Sequence, residues 1–130
     1  MPTIEHIQPE GLPDRSARYS PAVKFGDIIW VSGMVASNKD GELVGVGDAA
    51  AQAKQAYANL ITAVEAAGGT AASVVKQVVY SVDRAHGDAI MAMRSSIWPA
   101  GKMPATTVVI VAGLGRPEAL MEIECVAVVS

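Results

Sequence analysis

Three runs of this chain are apolar at successive positions: Ile28-Ile29-Trp30-Val31, Thr107-Val108-Val109-Ile110-Val111 and Val126-Ala127-Val128-Val129. Their β-branched and aromatic residues mark them as strands, and a strand with one wet face should alternate apolar with polar side chains. These runs do not alternate, so both faces of the sheet they build must be covered. Only two helices are legible. The first runs from Ala49 to Ala67, capped by Asp48 and stopped by Gly68-Gly69, with Ala53, Tyr57, Leu60, Val64 and Ala67 in one apolar stripe. The second spans about Asp88 to Ile97 and is ended by Pro99 and Gly101. Two helices cover one side of a sheet, so the other side calls for a partner, most economically further copies of the same chain.

The remaining elements fill in around these. Ile4 to Gln8 reads as a short strand, and Ala22 to Phe25 and Ile28 to Ser32 form a hairpin about Gly26-Asp27. Val74 to Val82 is a further strand, and Thr106 to Val111 and Leu120 to Val129 flank a turn at Gly113-Leu114-Gly115-Arg116-Pro117. The order β-β-β-α-β-α-β-β predicts an α+β domain, a mixed sheet with both helices on one face. A length of 130 residues suits a single domain over residues 1–130. The polar stretch Ser37 to Glu42 reads as a mobile loop.

Composition narrows the function. With 51% hydrophobic and 18% charged residues, little polar surface is available to wrap a monomer. The formal charge of −3 and singly scattered Lys and Arg weigh against nucleic-acid binding, which draws on clustered phosphate contacts. No apolar run approaches the ~20 residues of a membrane span. Met1 to Glu10 holds no basic segment followed by an apolar one, so no secretory signal is read and a cytoplasmic location is expected. Cys125 is the only cysteine, and His6 and His86 are isolated, so neither a disulfide, a metal site nor a cofactor is expected. Gly113-Leu114-Gly115 joins two strands and opens no helix, which is not the setting of a dinucleotide fingerprint.

Glu122 and Glu124 form the sharpest constellation. Two residues apart on a strand, they point to one face about 7 Å from each other, while Met121, Ile123, Cys125 and Ala127 point to the other. The pair is open to two readings: solvated acids at a frayed strand start, or a carboxylate at the mouth of an apolar cleft with its pKa raised toward proton transfer. Tyr19 is likewise either a packing tyrosine or a cleft phenol.

Four segments, Tyr19-Ser20-Pro21-Ala22-Val23, Val31-Ser32-Gly33, Pro104-Ala105-Thr106-Thr107-Val108 and Glu122-Ile123-Glu124-Cys125-Val126-Ala127, together resemble the Rid family (YjgF, reactive intermediate deaminases). The resemblance covers about Tyr19 to Val128. It implies a chorismate-mutase-like fold, a homotrimer whose sheets close into a central barrel, and small-molecule clefts between subunits in which enamines or imines are hydrolysed. It places Glu122 as the catalytic acid that positions water, with Tyr19, Gly33, Met34 and Thr106 at the substrate. The chain departs from the family at Thr106, where the usual members have an arginine that grips a carboxylate, at Met34 in place of glutamine, and at Met93 in place of asparagine. These changes imply a greasier cleft and a substrate other than a simple 2-imino acid. The alternative is a non-catalytic small-molecule-binding homotrimer of the same fold. Arg18 and Arg116 are candidates for a substitute cation, although Arg18 and Tyr19, as neighbours on an extended segment, should face opposite ways.

Overall fold

The computed structural model describes residues 1–130. Its strands are β1 (Glu5–Ile7), β2 (Ala22–Phe25), β3 (Ile28–Met34), β4 (Val74–Ser81), β5 (Ala105–Ile110) and β6 (Met121–Val128). The helices are α1 (Ala49–Ala66) and α2 (Gly87–Ile97), with one-turn 3-10 segments before β4 and α2. The strands form one six-stranded sheet in the order β1-β2-β3-β6-β4-β5. Every pairing is antiparallel except β4 with β5, the two strands that α2 connects. The mixed α+β architecture expected from the sequence is therefore the one observed, with element ends shifted by a residue or two.

Helix α1 forms where the stripe predicts. Asp48 accepts a hydrogen bond from the Ala51 N–H at 3.0 Å, which satisfies one of the free donors of the first turn. Tyr57, Leu60 and Val64 from its stripe are fully buried with Ile29, Val79, Ile123 and Ala127 of the sheet. Burying each large side chain of this kind stabilises the fold by roughly 1.5–3 kcal/mol. Tyr57 also meets Trp98 edge-on, with ring centroids 5.8 Å apart.

The opposite face carries no helix. Cross-strand partners there include Phe25 with Ile28, Ile28 with Val128, Trp30 with Val126, and Tyr80 with both Glu122 and Val109. Phe25, Ile28, Trp30, Val109 and Val128 on this face are all exposed in the single chain. The lack of apolar–polar alternation thus has a concrete form: one apolar face is packed and the other is open.

Two local features differ from the sequence reading. Strand β3 continues past Ser32 to Met34, and its register with β6 shifts between Val31 and Met34. Such an irregularity re-aims the side chains beside it. The Ser37–Glu42 loop is tied rather than free: the Asn38 carbonyl of its side chain accepts from the Asp40 and Glu42 N–H groups, each at 3.0 Å, and Ser37 bridges Leu43.

Candidate functional site

A cavity of about 470 Å³ opens at the end of the sheet where the register of β3 shifts. Glu122 projects from β6 on the uncovered face, and Gly33 lies beside it in β3. A Cβ added at Gly33 would lie 2.8 Å from Glu122 Cδ and 2.9 Å from Cγ. Glycine lets the carboxylate lie in this place, and a Cβ there would push the Glu122 side chain aside. Burial pushes the Glu122 carboxyl above its ordinary value, and the neighbouring Glu124 charge adds to the rise. Glu124 has a different setting. It accepts a short hydrogen bond from the Tyr80 hydroxyl, and that bond raises the phenol's pKa. Two acids two residues apart are thereby made unlike: one half-buried at a cavity wall, one tied to a tyrosine. A second opening of about 400 Å³, lined by Tyr80 and Leu114, also reaches Gly33 and Glu122.

Tyr19 and Arg18 both line the Glu122 cavity. The expectation that they face apart fails because the chain turns here: the Arg18 and Tyr19 N–H groups both bond to the Arg15 carbonyl, at 2.8 and 3.0 Å. The turn replaces the alternation of an extended segment. Arg116 lines the cavity too, and its Nη1 donates to the Gly41 carbonyl at 2.9 Å, which joins the tied loop to the β5–β6 turn. Arg15 was not singled out from the sequence, because nothing in its spacing marks it. With it, three guanidiniums share the cavity with one carboxylate. The greasy cleft expected from the sequence is therefore not what one chain builds. Met34 lies at the wall but is buried in the hydrophobic core, opposite Ile123.

Thr106 stands elsewhere. It lies on β5, at the far edge of the sheet, and faces the helix side opposite Gln77. Its hydroxyl donates to the Pro104 carbonyl at 2.8 Å and accepts from Gln77 Nε2 at 3.1 Å, while Gln77 Oε1 accepts from Tyr57 at 2.8 Å. A hydroxyl has one hydrogen, and this one is already committed. One chain thus brings Glu122, Gly33, Tyr19, Arg18 and Arg116 together and leaves Thr106 outside. Cys125 is buried and its thiol is pushed up to about 12, chiefly by burial. No three His, Cys, Asp or Glu side chains are grouped to hold a metal ion, and no helix is long and apolar enough to cross a membrane.

With the fold and this constellation in view, the sequence profile of the family described as Endoribonuclease L-PSP matches residues 10–129. A 3-aminoacrylate deaminase, RutC of Acinetobacter baylyi, is 37% identical over 123 residues, covering 95% of this chain and 96% of that protein. The chain superposes on the YjgF gene product of E. coli with a TM-score of 0.87 at 32% identity, covering 97% of this chain and 99% of that one. RidA from the Antarctic bacterium Psychrobacter gives a TM-score of 0.86 at 30% identity, covering 96% and 99%. The chain belongs to the Endoribonuclease L-PSP family, the Rid or YjgF family of the resemblance drawn above.

Proposed function

We propose that this protein is a homotrimeric enamine or imine hydrolase, working in clefts between subunits and using Glu122 as its acid–base group. The observation that carries the reading is the Glu122 carboxyl, half-buried against Gly33 in the space a Cβ there would take, with its pKa raised by burial. The likeness to a 3-aminoacrylate deaminase supports the reaction class. The open apolar face supports the trimer, since three such faces can close on one another. Closure would also bring the edge strand of one copy, with Thr106, toward the Glu122 cavity of the next, and Thr106 would act from there. The setting we propose is the cytoplasm.

The chemistry needs few parts. An enamine takes a proton from solvent on carbon and becomes an iminium ion. Water held by the Glu122 carboxylate adds to the C=N carbon as the carboxylate takes one of the water's protons. That proton passes to nitrogen, the C–N bond breaks with its electron pair going to nitrogen, and the remaining hydroxyl returns a proton to solvent, so a carbonyl compound and ammonia leave. Tyr19 and Gly33 border the space in which the substrate would lie. Because the Thr106 hydroxyl bears no charge and already donates to Pro104, the substrate is proposed to differ from a simple 2-imino acid held at that position.

The Thr106 hydroxyl, uncharged and committed to Pro104, favours a second reading, a binding protein that has kept the cleft and lost turnover. Ammonia release from freshly generated enamines and imines decides between them. Release above the spontaneous rate is the expected result. Binding of small ligands by thermal shift, without any release, would replace the enzyme with the binder.

A further inference from the structure

A third cavity, of about 360 Å³, lies between α2 and β5 on the helix side of the sheet edge. Gly87, Ile90 and Arg94 line it from one face of α2, since they recur at three- and four-residue steps. Val108 and Ile110 line it from β5, on the same side of that strand as Thr106. Arg94 is 8% exposed, and its Nε–H is buried with no hydrogen-bond partner. A guanidinium so placed carries a large desolvation cost that an acid normally offsets. The one acid in the lining, Asp83, accepts a capping hydrogen bond from the Ala85 N–H at 2.9 Å and stands exposed. Arg84 adds a second, exposed cation at the rim. Arg94 lines the cavity beside Ile90 and Gly87, and its charge also reaches the buried Tyr57 hydroxyl. An open cavity, an unpartnered buried donor and a second cation beside it describe an anion site.

We propose that this cavity binds a carboxylate group, with the Arg94 guanidinium as its cation. The planar fork of arginine suits a two-oxygen ligand, and the apolar wall of Val108 and Ile110 suits a short carbon chain behind it. The charge that the Thr106 hydroxyl does not offer on β5 is then supplied from α2, across the same strand face. That the carboxylate is the substrate's own rests on the enzyme reading above; that the cavity holds one does not.

The test uses the full-length wild-type protein with arginine side chains labelled in nitrogen, and follows the Arg94 Nε–H resonance, assigned by its loss in Arg94→Lys. Titration with propionate should shift this signal saturably, and propionamide, of the same shape without the charge, should not. Arg94→Met should weaken propionate binding by at least about tenfold. It should also raise the Tm of the free protein, because an unpaired buried charge is removed. A merely structural arginine predicts the reverse, a lower Tm and unchanged propionate binding. An unmoved resonance, or one that responds to phosphate but not to propionate, overturns the proposal. Glu122→Gln should leave the propionate shift intact. A shift without any ammonia release from wild type would sink the enzyme reading alone, and release from neutral enamines without the shift would sink only the carboxylate site.

Discussion

On the helix-covered face of the sheet Ile29, Val79, Ile123 and Ala127 keep no exposed surface, whereas Ile28, Trp30, Val109 and Val128 on the other face are 38%, 44%, 38% and 42% exposed. These eight residues are all apolar, although the second face also carries Glu122, Glu124 and Tyr80. One has its covering within the chain and the other does not, and the proposed trimer would cover the second. Glu122 is placed at the end of that open face, next to the shifted register of β3. The packed face supplies rigidity, and the open one carries the acid and, on the proposed reading, the association surface.

The comparison breaks most visibly under charge. Ile123→Asp would bury an unpaired carboxylate in the packed face at a cost of several kcal/mol, and circular dichroism should show an unfolded chain. Trp30→Glu, one face away, should leave the helical spectrum in place while sedimentation reports dissociation of the proposed trimer. If Trp30→Glu sediments like wild type, the open face is not an association surface. Next in size is Gly33→Ala, whose Cβ would collide with the Glu122 side chain. It should displace the carboxylate, the movable end of a flexible side chain, so that ammonia release falls while Tm changes little.

Much of this was readable in the residues. The α1 stripe, the hairpin and the non-alternating strands carry the fold, because burial leaves a periodic trace in sequence. The site was only partly legible. Glu122 and Glu124 share a face by simple alternation, but nothing in Glu-Ile-Glu says which acid is buried and which is tied to Tyr80, since those neighbours come from β3 and β4. Arg18 and Tyr19 reach one cavity because of a turn closed on the Arg15 carbonyl, a contact that spacing does not announce. Arg94 did leave a signal: it falls four residues after Ile90 and four before Trp98, a charge in the middle of a buried stripe.

Smaller effects sharpen the contrast. Glu122 has a raised pKa in the folded chain, so its ionised form is disfavoured there relative to the unfolded chain. The penalty is absent below the ordinary carboxylate value and present once pH has risen through the higher folded one. Glu122→Gln should therefore have a higher Tm than wild type at about pH 7, with the difference vanishing near about pH 4. A constant difference across that range would mean that the carboxyl is not perturbed. The smallest effect belongs to Cys125 on the packed face. Its thiol, raised to about 12, should resist alkylation in the native protein at neutral pH and react once the chain is denatured.

The most direct measurement is ammonia release from freshly generated enamine by Glu122→Gln and Glu124→Gln, compared with wild type, at equal and verified trimer content. Loss of a positioned acid–base group predicts a fall of about 10²–10⁴-fold for Glu122→Gln, with Glu124→Gln close to wild type. Equal losses at both positions, or full turnover without the Glu122 carboxylate, would contradict the assignment of the chemistry to Glu122.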